Sequence, residues 1–117
     1  MDIEELKARF KAFAIDVASL LQDVPPTMTN KAYSSQLIRS SSSSAANYRA
    51  ACRAKSRPDF INKLKIVEEE LDESLFFLEL LDHFNPNLRV PNERLQKEGH
   101  ELLAITVSSI KTSGANA

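Results

Sequence analysis

Six cations and no carboxylate occupy residues 31–57: Lys31, Arg39, Arg49, Arg53, Lys55 and Arg57. Residues 59–82 reverse the sign, with eight carboxylates against only Lys63 and Lys65. Clustered guanidinium and ammonium groups without counter-charges attract phosphate, and they do so without any bond-making step. At 100° per residue on a helix, Lys31, Arg39, Arg49 and Arg53 share an arc of about 80°, a basic stripe about 33 Å long. Ser35, Ser42, Ser43 and Ala46 lie between these charges, leaving a smooth surface that a phosphate backbone can approach closely. The same charges have a second reading. Glu68 to Glu73 can neutralise the arginines, within the chain or across a subunit boundary, and then no basic surface remains. The net charge of -1 and pI of 6.1 fit the second reading, and the segregation of sign fits the first.

Other chemistry is thinly represented. The run EEELDE, Glu68 to Glu73, suggests a metal centre, but a di-iron bundle site needs Glu-x-x-His on two helices. His83 and His100 are the only histidines, and neither has Glu three residues before it. The acidic run therefore reads as a solvated or ion-paired face, and His83 as a favourable charge near a helix C-terminus. The chain has no phosphate-binding glycine loop, and no Ser/His/Asp spacing stands out. Cys52 is the single cysteine, so no internal disulfide forms, and a thiol among small residues reads as packing. The expectation is a protein that is not an enzyme, with no catalytic residues, metal or cofactor.

The elements that must position these groups are helical. Two glycines in 117 residues argue against turn-rich β architectures, and this length buries about 65% of the unfolded surface in one domain. Asp2 and Glu5 form a capping box, after which Ile3, Leu6, Phe10, Phe13, Val17 and Leu20 alternate steps of three and four. Pro25 and Pro26 end that helix, and Thr29 or Asn30 can cap the next. Five consecutive serines, Ser40 to Ser44, look like a linker, but no Gly or Pro interrupts them. Tyr33, Leu37, Tyr48 and Ala51 keep a helical period through the run, whose small side chains permit close packing. Phe60, Leu64, Val67, Leu71, Ser74, Leu78 and Leu81 mark a third helix. Residues 85–91 read as a loop, and Leu95, Leu102, Leu103, Thr106, Val107 and Ile110 mark a fourth.

The expected helices are about 2–22, 31–54, 58–84 and 92–111, with 112–117 frayed, all in one domain spanning 1–117. Helices about 30 Å long joined by short connections must run antiparallel. The expected fold is all-α, an antiparallel up-down-up-down four-helix bundle. The third helix has a second apolar face formed by Phe76, Phe77, Leu80 and Phe84. It either packs beneath a loop or the C-terminal tail, or it forms a subunit interface in an oligomer. No apolar run approaches a membrane span, and the acidic, amphipathic start MDIEELKARF is not a signal peptide. A cytoplasmic location is expected.

Gln36, Leu37, Arg39, Ser43 and Asn47, followed by IVEEELDESLFFLELL from Ile66 to Leu81, resemble the 23S rRNA intervening-sequence proteins. The similarity extends over nearly the whole chain. It implies antiparallel four-helix subunits assembled as ring-like homopentamers in a bacterial cytoplasm. That family in turn resembles the accessory variability protein of diversity-generating retroelements, which binds nucleic acid and a reverse transcriptase through a basic surface. Many members have Glu-Gly after the motif asparagine, where this chain has Tyr48-Arg49, which marks a variant branch. The partners expected from residues and resemblance together are a second copy of the chain, RNA or DNA, or a nucleic-acid enzyme. Arg39, Arg49 and Arg53 would be the principal contacts, with Lys31, Lys55 and Arg57 outside them. The competing expectation is a structural or protein-binding module whose arginines are already paired.

Overall fold

A computed structural model describes residues 1–115, and among them the chain forms four α-helices and no strand. These are α1 (Ile3–Leu21), α2 (Met28–Ala51), α3 (Arg57–Phe84) and α4 (Arg89–Ile110). Three of the four helices, α1, α2 and α3, start at a side-chain cap. Asp2 accepts the Glu5 N–H at 2.8 Å, Thr27 accepts that of Asn30 at 3.1 Å, and Ser56 accepts that of Asp59 at 3.2 Å. These side chains satisfy amides that the first helical turn leaves without carbonyls.

Three boundaries differ from expectation. α2 begins at Met28 because Thr27, directly after the prolines, is the cap, and Asn30 is thereby released for another use. It ends at Ala51, so Arg53 and Lys55 lie in the turn that follows and not on the helix. The basic stripe is correspondingly shorter. The expected loop over 85–91 is one 3₁₀ turn, Pro86–Leu88, running straight into α4. Pro91 sits within the first turn of α4, where its missing N–H would have found no helical partner anyway. Lys111–Ala115 forms a π-helical turn, with Gly114 at φ 95° and Thr112 Oγ1 donating to the Ser108 carbonyl at 3.1 Å. Residues 116 and 117 of the expected tail lie outside the described residues.

Each helix touches its sequence neighbours, and α4 returns to α1, so diagonal pairs stay apart. The core is the set of large side chains that the three-and-four alternation selects: Leu6, Phe10, Phe13, Val17 and Leu20 of α1 with Leu64, Val67, Leu71, Leu78 and Leu81 of α3. Ile3 and Phe60, at the N-terminal ends of those stripes, are not fully covered. Phe10 stacks on Tyr48 of α2, ring centroids 4.6 Å apart. Gly99 lets α4 approach, since a Cβ there would lie 2.9 Å from Leu75 Cδ2 and 3.4 Å from the Phe13 ring.

The serine run is core. Ser40, Ser41 and Ser44 are buried with Ser74 of α3. Ser74 Oγ donates to Ser40 Oγ at 2.9 Å, Ser40 donates to the Leu37 carbonyl at 3.3 Å, and Ser44 donates to the Ser41 carbonyl at 2.7 Å. Each hydroxyl thus enters the interior with a partner, which removes most of its burial cost. A second polar lock ties the far ends of α2 and α3. Asn30 and Asn85 each donate an amide N–H to the other's carbonyl oxygen at 2.9 Å. The spare N–H of Asn30 reaches the Pro25 carbonyl at 3.0 Å, and that of Asn85 reaches the Leu81 carbonyl at 2.9 Å.

Candidate functional site

The basic residues divide into two groups. Arg39 leaves α2 toward α3, where Nη1 lies 3.1 Å from Glu70 Oε2 and Nη2 contacts Glu73 Oε2. Its Nε also donates to Gln36 Oε1 at 3.4 Å. Arg39 is therefore an ion-pair partner of the acidic run. Lys31, Arg49, Arg53, Lys55 and Arg57 are exposed, and none forms an ion pair among the described residues. Arg49 is on the last turn of α2, Arg53 and Lys55 are in the turn after it, and Arg57 opens α3. These four gather at one end of the bundle. Lys31, on the first turns of α2, is at the other end.

Two lysines of α1 join this group. Lys7, Lys11 and Arg49 line a groove of about 380 Å³ between α1 and α2, floored by Ala8, Ala45 and Ala46. Lys7 pairs with Glu4 at 3.2 Å. The spacing of Lys7 and Lys11 by four residues was available in the sequence, but their proximity to Arg49 depends on how α1 packs against α2.

The aromatic face of α3 is only partly covered. Phe76 and Phe84 are 55% and 52% exposed, while Phe77 and Leu80 are half-buried. What covers this face is Tyr33 of α2, its ring centroid 6.1 Å from Phe77 and 6.0 Å from Phe84. Phe76 meets Phe77 edge to face at 5.4 Å, and His83 meets Phe84 at 4.9 Å. The result is one contiguous aromatic patch beside the α2–α3 seam.

A groove of about 650 Å³ lies between α1 and α4, lined in part by Asp16, Asp23, Arg94, Lys97, Glu98 and Glu101 over Phe13, Leu20 and Leu95. Its carboxylates are partly committed. Arg9 grips Glu98 with Nε at 3.0 Å and Nη2 at 2.5 Å, and contacts Glu101 at 2.9 Å. The hydrogen bonds to Glu98 hold the guanidinium above its already high ordinary pKa. Among the described residues no group of three or more His, Cys, Asp or Glu side chains is placed to hold a metal ion. Cys52 is a half-buried free thiol beside Tyr48, whose phenol is pushed well above its usual range, first by burial and then by that thiol. Among the described residues no helix is long and apolar enough to cross a membrane.

No protein-family model and no curated protein matches the chain. A solved structure does match: a protein of unknown function from the S23 ribosomal protein family of Bacteroides thetaiotaomicron VPI-5482, determined at 1.70 Å resolution. The two chains are 32% identical and superpose with a TM-score of 0.85, over 95% of this chain and 99% of the other. Identity at this level over essentially full length extends the likeness beyond shared architecture to shared descent, and the chain belongs to the S23 ribosomal protein family.

Proposed function

We propose that the protein is a non-enzymatic, oligomeric bundle that binds or scaffolds structured nucleic acid, or an enzyme acting on it, through a basic surface. The observation behind this reading is the gathering of Arg49, Arg53, Lys55 and Arg57 at one end of the bundle with no ion pair among the described residues. Holding like charges together costs stability, and a polyanion recovers that cost on binding. Membership of a family named as ribosomal fits an RNA-associated role. The kinship is read as extending to the 23S rRNA intervening-sequence proteins and, through them, to the accessory variability protein of diversity-generating retroelements. With it come an antiparallel up-down-up-down arrangement of the helices, a homopentameric ring and a bacterial cytoplasm. The antiparallel arrangement is supported by contacts that run in opposite sequence order, Asn30 with Asn85 and Ser40 with Ser74. Self-association would use Phe76, Phe77, Leu80 and Phe84, since an exposed aromatic patch of this kind is costly on a monomer.

One observation favours the alternative, a structural or protein-binding module: Arg39 is already committed to Glu70 and Glu73. Fluorescence anisotropy of a labelled RNA hairpin titrated with the purified assembly at several salt concentrations separates the two. Affinity that falls steeply with salt supports the nucleic-acid reading. No binding at the lowest salt supports the module.

A further inference from the structure

The α1–α2 groove differs in charge from the α1–α4 groove and from the one beside α3 and α4. The α1–α4 groove has four carboxylates, Asp16, Asp23, Glu98 and Glu101, against Arg94 and Lys97. A groove beside α3 and α4 has Glu68, Glu69 and Asp72 against Lys65. The α1–α2 groove reverses the balance, with Lys7, Lys11 and Arg49 against Glu4 alone. Glu4 stands at its mouth, 81% exposed, and is engaged by Lys7.

The cations here are arranged at a cost. Lys7 and Lys11 are four residues apart on α1. Like charges at that spacing oppose helix formation by about 0.2–0.5 kcal/mol per pair. The packing of α1 on α2 then brings Arg49 to the two lysines, adding repulsion that no carboxylate in the groove offsets beyond Glu4. The floor is made of Ala8, Ala45 and Ala46, so nothing large prevents a chain of phosphates from settling between the walls. The groove also lacks a means of reading bases. The aromatic residues nearest in sequence, Phe10 and Tyr48, are buried and stacked on each other, and no Asn or Gln side chain lines the groove.

We propose that the α1–α2 groove is the track for a phosphodiester backbone, with Lys7 and Lys11 of α1 and Arg49 of α2 contacting phosphates and no residue reading sequence. The track leads from Arg49 on α2 toward Arg53 in the following turn. The proposal rests on the nucleic-acid reading above and specifies where on the surface that binding occurs.

The test compares Lys7→Gln/Lys11→Gln with Arg53→Gln/Arg57→Gln, using a labelled RNA hairpin and its DNA counterpart at several salt concentrations. Circular dichroism confirms that each variant keeps its helices. The lysine pair is expected to weaken binding at least tenfold and to reduce the slope of log affinity against log salt by about 1.4–1.8, since each phosphate contact contributes about 0.7–0.9. RNA and DNA are expected to lose affinity in parallel. Wild-type affinity and slope in the lysine variant, with loss confined to Arg53→Gln/Arg57→Gln, would overturn the groove and leave the nucleic-acid reading standing. No binding by the wild-type protein at the lowest salt overturns both.

Discussion

Arg39 and Glu70 face each other across the α2–α3 seam, Nη1 to Oε2 at 3.1 Å, with Glu73 completing the clasp. That contact separates one arginine of the basic segment from the others. Arg39→Gln is expected to cost about 0.5 kcal/mol or less, because the Arg39 side chain is 48% exposed and solvent screens the pair. It should leave RNA affinity unchanged. Urea melts and anisotropy on the same preparation check both halves, and a large loss of affinity with intact stability would return Arg39 to the binding surface.

Phe76→Ser and Phe84→Ser remove aromatic rings that are more than half exposed. Little folded-state packing is lost with them, so the helices should persist. If these rings are buried between subunits, the double variant should fall to monomer. Light scattering during size-exclusion chromatography reads the mass directly, and an unchanged oligomer would remove this patch from the interface.

Asn30→Leu should cost about 1–3 kcal/mol, since the Asn85 amide would lose its partner in a buried site. Asn85→Leu should cost a similar amount. In a double-mutant cycle the two losses should fall short of additivity in the double variant by about 0.5–3 kcal/mol. Simple additivity would mean that the two side chains act independently.

The recognisable part of this fold was carried by large side chains in regular steps. Leu6, Phe10, Phe13, Val17 and Leu20 announce their helix because each is apolar and each falls on one face. Ser40 and Ser44 announce nothing by type, and their burial is visible only through the period kept by Leu37 and Tyr48. Asn30 was open to misreading because its residue type serves caps and buried amide pairs equally, and its partner is 55 residues away. The basic segment was visible as composition. That Arg39 turns to α3 while Arg49 meets Lys7 and Lys11 depends on packing between helices, which no single-helix projection contains.

Tyr48 links stability to pH at the alkaline end. Its phenol is held above its ordinary value of about 10 by burial between α1 and α2, with the Cys52 thiol adding to the effect. Below about pH 10 the phenol is neutral in both folded and unfolded chains, and its contribution is fully present. Above that, the unfolded chain ionises first, releasing protons that the folded one retains, and stability falls with rising pH by up to about 1.4 kcal/mol per unit. Urea midpoints between about pH 9 and pH 11 should decline less in Tyr48→Phe than in the wild-type protein. Equal declines would show that the buried phenol is not the titrating group.

The central claim is that an exposed cationic surface survives after the internal ion pairs are made. The most direct measurement is the salt dependence of RNA-hairpin affinity for the wild-type protein beside an Arg49→Gln/Arg53→Gln/Arg57→Gln variant, at matched oligomeric state. The expected result is a linear loss of log affinity with log salt in the wild type and a slope shallower by about 2–2.7 in the variant, one phosphate contact per arginine. Identical slopes, or no wild-type binding at the lowest salt, would contradict the claim and assign these arginines to the assembly or to a protein partner.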